Sequence, residues 1–243
     1  MMTHFLSRVR LNRDAPAAAI APVLLPDDPN ARCGVAHRLV WTLFADGPER
    51  SRDFLWREEA PAGAHGGHAG FLILSTRPPV DAHGLFHVES KPFEPHLSVG
   101  DRLAFSLRVN PVITRTRTID GRPKHTRSDV VMDLLRPIPR GKRAERRPEA
   151  IREGGLAWLA RQAASSGFAI GEDSDDSPAV RVDGYEQMRV RRRGAKDITF
   201  SALEMDGVLR VDNPERFLQA LYQGFGKAKA FGCGLMLIRR ARP

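Results

Sequence analysis

An α+β fold built on antiparallel sheets is what this 243-residue sequence predicts. Two observations carry that expectation. Short strand-like segments are interleaved with segments whose apolar residues recur at helical spacing. The order strand–helix–strand–strand–helix–strand is run through once, and the second half then offers a helix, paired strands, a helix and a strand. That order is the split βαβ plan of ferredoxin-like (RRM-like) domains. The expectation is a tandem pair: a first domain over 1–113, a basic linker or loop over 114–147, and a second domain over 148–243. It rests on element order, since no repeat is visible residue by residue.

The first strand is expected over 4–11, where Arg8 and Arg10 are interspersed among Leu6, Val9 and Leu11. A Pro/Ala-rich connection follows over 12–31. Residues 34–46 read as a helix, because Ala36, Leu39, Val40, Leu43 and Phe44 fall on one stripe. Strands are expected at 53–58 (DFLWRE) and 69–76 (AGFLILST), separated by the Gly/His-rich turn 61–68. A polar stretch with Pro78 and Pro79 leads to a short helix near 80–86, and a strong strand at 101–109 completes the first set. Residues 114–147 carry Pro137, Pro139, Arg140, Lys142, Arg143, Arg146 and Arg147, and read as a solvated linker. A helix over 148–165, an acidic loop at 171–176, and strands at 179–192 and 197–211 follow. The chain closes with a helix over 213–223 and a strand over 235–240.

That closing stretch, NPERFLQALYQGFGKAKAFGCGLMLIRR, is the most informative part of the chain. Asn213 suits an N-cap, Pro214 the first helical position and Glu215 the positive end of the helix dipole. Gly224, Gly226, Gly232 and Gly234 then surround Lys227 and Lys229. Glycines at this density let backbone N–H groups approach a phosphate closely, although they would equally serve a tight helix-to-strand turn. A dinucleotide fingerprint needs a strand before its glycines and a helix after them, and here the helix comes first. No stretch supplies a P-loop. Nucleotide cofactors are therefore disfavoured, and a polymeric phosphate is the better candidate ligand.

Composition agrees. The chain carries 38 Lys+Arg against 29 Asp+Glu, a formal charge of +9, which fits a polyanionic partner. Cys33 and Cys233 are the only cysteines and form no CxxC, so structural zinc and a disulfide framework are not expected. The opening MMTHFLSRVRLNRD is too charged to read as a signal peptide, and no apolar run reaches membrane-spanning length. The expected location is the cytoplasm.

His37 is the most interesting histidine for chemistry. It falls at the edge of the 34–46 stripe and near the expected helix start, where it could be partly exposed and move protons near neutral pH. The same position also suits an ordinary surface histidine. His65 and His68 lack a third ligand close by, and the acidic run 172–176 lacks EF-hand spacing, so no metal site is expected. Arg189 and Arg191 alternate with Met188 and Val190 on an expected hairpin that continues into Arg192, Arg193 and Lys196. One face would pack inward while the other forms a cationic ridge able to track RNA phosphates, or simply a solvated hairpin end.

Taken in order, FLSRVRLN, AHRLVWTLF, RDFLWR, LAFSLRVNPV, LAWLARQAASSGF and GFGKAKAFGCGLMLI resemble the CasE (Cse3) family, the CRISPR-associated endoribonucleases of type I-E systems within the RAMP superfamily. The resemblance covers most of the chain. It implies two ferredoxin-like domains and metal-independent, cofactor-independent cleavage of CRISPR precursor RNA at the base of repeat hairpins. It also implies retention of the product as a Cascade subunit, with the repeat RNA hairpin and other Cascade subunits as partners. His37 matches the family's histidine. Arg191, Arg192 and Arg193 would grip the RNA stem, and the loop with Lys227 and Lys229 would lie near His37 and the RNA backbone. Some members carry a tyrosine three residues before the histidine. That position is Gly34 here, and the only tyrosines are Tyr185 and Tyr222, so Arg38 or backbone donors would have to stabilise the transition state instead. A non-catalytic RNA-binding subunit, with His37 structural, is the alternative.

Overall fold

A computed structural model describes residues 3–12, 26–44, 52–59, 70–119, 122–170, 180–192 and 194–241. Arg193, His65, His68, the acidic run 172–176 and the last two residues of the expected 34–46 helix lie outside them.

Two antiparallel sheets organise the molecule. The first holds β1 (Phe5–Leu11), β2 (Phe54–Glu58), β3 (Gly70–Ser75) and β4 (Phe86–Pro92) in the order β2-β3-β1-β4. Helix α1 (Pro29–Thr42) packs on one face. Alternation dictates what is buried there. Val9 and Leu11 of β1, Phe71 and Ile73 of β3 and Phe86 of β4 meet Ala36, Leu39 and Val40 of the helix. Phe54 and Trp56 of β2 close the same core.

The second sheet holds β5 (Arg102–Val109), β8 (Phe168–Ile170), β9 (Val180–Val190), β10 (Ile198–Val211) and β11 (Met236–Arg240). Its path runs β11-β5-β10, with β9 and β8 both pairing with β10. If β5, β9, β10 and β11 are counted as strands one to four, the order is the same 2-3-1-4 as in the first sheet. The tandem ferredoxin-like expectation is therefore met. Helices α2 (Val130–Leu135), α3 (Arg143–Ser166) and α4 (Pro214–Gln223) supply Val131, Leu135, Trp158, Leu159, Phe217 and Leu221 to its core, against Leu107, Leu203, Met205 and Leu209 of the strands.

Three expectations are corrected. The strand at 101–109 was expected to finish the first domain, but β5 pairs with β10 and β11, so the sheets do not divide at residue 113. Its inward residues Leu103, Phe105, Leu107 and Val109 find their apolar partners in the second core. The expected helix at 80–86 is absent. Asp81 accepts hydrogen bonds from the backbone of His83 (3.2 Å) and Phe86 (2.7 Å), which commits that stretch to a turn, and Phe86 opens β4 instead. Among the described residues the first unit thus carries one helix rather than two. The expected linker 114–147 is structured: β6 (Val112–Ile119) and β7 (Arg122–Asp129) form a separate two-stranded ribbon, and α2, a 3₁₀ turn at Arg140–Lys142 and the first turn of α3 follow.

Helix α1 also begins earlier than expected. Asp28 caps it, its carboxylate accepting from Ala31 N at 2.7 Å, and Pro29 takes the first position. His37 therefore lies mid-helix, away from the helix start.

The two units meet along β2, β3 and β11. Leu55, Leu74 and Leu235 are buried together there, flanked by Leu72, Phe93, Tyr222 and Leu237. Arg57 of β2 crosses between the sheets, donating to Ser106 Oγ (2.9 Å) on β5 and to Glu204 (3.1 Å) on β10. The glycine-rich segment 224–235 runs through this junction. Gly226 has φ +70°, and a Cβ there would stand 2.7 Å from Val109 Cγ2 and 2.9 Å from Asn110 O. Gly226→Ala is expected to cost roughly 1–3 kcal/mol in urea denaturation, from left-handed strain plus the clash. At Gly141, where an added Cβ meets nothing within 4 Å, the same substitution should be neutral or stabilise by up to about 1 kcal/mol.

Candidate active site

The site grows from one turn of the glycine-rich loop. Lys229–Phe231 forms a single 3₁₀ turn that packs on α1 and β2, and the Ala230 carbonyl points back into the first unit. Two donors meet it: Trp56 Nε1 of β2 at 3.1 Å and His37 Nδ1 of α1 at 2.8 Å. Gly232, with φ +78°, lets the loop lie on the indole, since a Cβ there would stand 3.2 Å from the Trp56 ring.

A carbonyl oxygen can only accept, so Nδ1 of His37 carries its proton in either charge state. In the neutral ring Nε2 is then the basic atom; in the protonated ring it is an acid. His37 is half-buried, against Phe231 with ring centroids 5.4 Å apart and with Trp41 edge-on at 6.3 Å. Burial lowers its pKa below the ordinary imidazole value. The hydrogen bond to Ala230 opposes that shift, and the guanidinium groups of Arg52 and Arg38 reinforce it. The neutral, proton-accepting form is the one favoured near neutrality.

Cations surround this histidine. Arg38 is exposed one position further along the helix. Arg52, at the head of the RDFLWR segment, acts on both His37 and Lys229, a part that sequence reasoning did not assign. Lys227 is exposed, as expected of a phosphate-facing residue. Lys229 is less free: its ammonium donates to Gln223 O at 2.6 Å, capping the carbonyl end of α4, and burial first, then Arg52 and Lys227, lower its pKa.

The expected cationic ridge is present. Met188 and Val190 are buried while Arg189, Arg191 and Arg192 are exposed. Arg38 of the helix and Arg189 and Arg191 of the hairpin, from two segments far apart in the chain, line one groove of about 510 Å³ between α1 and β9. Asn30 of the helix accepts from Arg189 N at 2.7 Å and joins the two walls. Arg189 is partly neutralised by Asp197 at 2.8 Å, which leaves Arg191 and Arg192 as the freer cations.

No phenol replaces the missing tyrosine. A Cβ on Gly34 would stand 3.3 Å from Val190 Cγ1, a tight contact with β9. Tyr185 OH donates to Asp129 and Tyr222 OH to Phe93 O, each at 3.1 Å. Nor is a thiol available for chemistry: burial pushes Cys33 up to about 11 and Cys233 up to about 12. Among the described residues no group of three or more His, Cys, Asp or Glu side chains is placed to hold a metal ion, and no helix is long and apolar enough to cross a membrane.

The chain is similar to proteins of known name. CasE, a subunit of the CRISPR system Cascade in Escherichia coli (strain K12), is 28% identical over 207 residues, covering 82% of this chain and 88% of that protein. The CRISPR-associated endoribonuclease Cse3 of Thermus thermophilus is 31% identical over 153 residues, 61% of this chain and 60% of that one. A structure of Thermus thermophilus Cse3 bound to an RNA representing a pre-cleavage complex has a TM-score of 0.64 and 25% identity, covering 98% of this chain and 99% of that chain. Residues 4–240 match the family model described as CRISPR associated protein, and the chain belongs to that family.

Proposed function

We propose that the protein is an endoribonuclease that cuts CRISPR precursor RNA at the base of its repeat hairpins and keeps the product as part of a Cascade complex in the cytoplasm. The observation that carries this reading is the hydrogen bond from His37 Nδ1 to Ala230 O at 2.8 Å, which leaves Nε2 as the proton-transfer atom of a half-buried imidazole among cations. The names of CasE and Cse3, and the RNA-bound Cse3 structure, support the same substrate class.

The step needs no cofactor and no metal. The 2′-OH of the nucleotide before the cut attacks the adjacent phosphorus in line with the departing 5′ oxygen. Nε2 of neutral His37 takes the 2′-OH proton, the P–O5′ bond breaks, and the 5′ oxygen is protonated by water or by the imidazolium so formed. The products are a 2′,3′-cyclic phosphate and a 5′-OH end. Arg52 and Arg38 supply positive charge where the phosphorane gains negative charge. Arg189, Arg191 and Arg192 run along the stem, with Arg193 as a further candidate on the same hairpin. The backbone of Gly224, Gly226, Gly232 and Gly234 holds the loop, with Lys229 anchoring it rather than meeting RNA.

His37→Ala is expected to lower the single-turnover cleavage rate of a labelled repeat hairpin in EDTA by about 10²–10⁴-fold, with hairpin affinity nearly unchanged. Cleavage that survives this substitution would take the catalytic role off His37; wild type that never cuts in EDTA would point to a non-catalytic RNA-binding subunit or to metal chemistry. With His37 as base, the rate should rise with pH through a midpoint below the ordinary imidazole value of about 6.5 and then level off. Arg52→Gln removes a cation that opposes protonation, so the midpoint should move up, and NMR titration of the His37 ring should move with it. Replacing Arg191 and Arg192 with Ala should flatten the salt dependence of RNA binding by about 1–2 log–log units; an unchanged slope would take the stem off this ridge.

A further inference from the structure

A pocket that the cleavage mechanism does not use lies on the other side of Phe231. Strand β10 outruns its neighbour there: β5 pairs with it only from Leu203, opposite Val109, Asn110 Nδ2 donates to Ser201 O at 2.7 Å, and Ile198–Phe200 have β9 on one side alone. The open edge, the foot of the β6–β7 ribbon and the Lys227–Ala228 bend of the loop enclose about 360 Å³. Phe200 forms its apolar wall, half-buried and stacked on Phe231 with ring centroids 5.4 Å apart and planes 19° from parallel. Phe231 in turn touches His37. Arg127 and Lys227 stand exposed on the rim, and neither has an acidic partner among the described residues.

The loop is held under strain at this wall. Ala228 adopts φ +53°, the left-handed region that a residue with a Cβ avoids, and is the sole such non-glycine among the described residues. Its carbonyl accepts from Phe231 N at 2.8 Å, while the neighbouring Lys227 N lies 3.4 Å from Asn110 O. The strain turns Lys227 toward the rim and Phe231 toward both His37 and Phe200.

An aromatic face beside two unpaired cations, in a space the size of one nucleotide, is the chemistry of a single unstacked base with its phosphate. A duplex offers no free base face to such a slot. We infer that this pocket receives one unpaired nucleotide flanking the cut, its base on Phe200 and its phosphate between Arg127 and Lys227. Occupied, it would fix the strand on one side of the scissile bond while the α1–β9 groove fixes the stem on the other, so that the phosphate between them is presented to His37. The inference rests on the RNA-cleaving reading above and adds a binding subsite to it.

The test places 2-aminopurine at each unpaired position beside the cut in the repeat hairpin and measures its fluorescence with wild type, Phe200→Leu, Phe200→Trp and Arg127→Gln. One position should be quenched by wild type and by Phe200→Trp, and not by Phe200→Leu. Affinity for the flanked hairpin should fall about tenfold in Phe200→Leu, and affinity for the stem without flanks should stay the same. Arg127→Gln should weaken the flanked RNA alone. Quenching that is absent everywhere or identical in Phe200→Leu overturns the pocket. So does an equal loss on the flank-free stem, which would mean that Phe200 matters only for packing. A flank-independent affinity together with capture of an added peptide strand along the β10 edge would assign the pocket to a protein partner instead. Wild-type cleavage of the same RNAs is read separately: failure to cut removes the endoribonuclease reading, whereas Phe200-dependent quenching still decides the pocket.

Discussion

The Ala230 carbonyl, accepting from both His37 and Trp56, is the contact on which the rest of the site depends. It brings a loop from the C-terminal end of the chain onto a helix and a strand from the N-terminal unit. It also settles the imidazole chemistry, because an acceptor at Nδ1 leaves Nε2 to exchange protons. A half-buried carbonyl with two good donors is fully satisfied, so moving the turn away would leave His37 and Trp56 without this acceptor. The glycines serve that turn. At Gly232 the loop lies directly on the Trp56 ring, where a Cβ would be a tight fit at 3.2 Å, and at Gly226 it lies against Val109 and Asn110, where a Cβ at 2.7 Å and 2.9 Å would clash.

Charge is divided between a structural set and a free set. Arg57 and Arg108 converge on Glu204, and Arg108 also reaches Glu186 at 3.0 Å. These neutralised pairs fasten β2 to β5, β9 and β10 without adding net field. Arg38, Arg52, Arg191, Arg192 and Lys227 have no such carboxylate partners among the described residues. Arg38 and Arg191 line the α1–β9 groove and Arg52 acts on His37, so positive charge is concentrated along this face. Burial first, and then the charges of Arg52 and Arg38, favour the neutral form of His37.

Much of the fold was legible in the chain, and the misses have specific causes. Residues 180–190, 198–211, 214–223 and 236–240 lie where alternation, Asn213–Pro214 and the terminal apolar run placed them. The β6–β7 ribbon was missed because Thr114, Arg115, Thr116, Arg127 and Ser128 give it no apolar face, so it lacks a period-two hydrophobic signal. The Asp120–Gly121 pair was the available cue for a hairpin. The start of α1 was readable from Asp28–Pro29, which the Pro/Ala-rich neighbourhood obscured. The membership of β5 was not readable, since Leu103, Phe105, Leu107 and Val109 would suit either sheet.

Sequence by itself determined most element types outside 80–86 and 114–147, the doubled ferredoxin-like order, the basic hairpin and the candidacy of His37. These follow from local periodicity, capping and charge, and from a run of motifs specific enough to indicate a family. Tertiary structure alone decided that His37 meets Ala230, that Lys229 caps α4 while Arg52 acts on the histidine, and that Arg38 shares a groove with Arg189 and Arg191. Each of those pairings joins residues far apart in the chain. Their proximity depends on how two sheets dock through Leu55, Leu74, Leu235 and Arg57, and no local pattern encodes that docking.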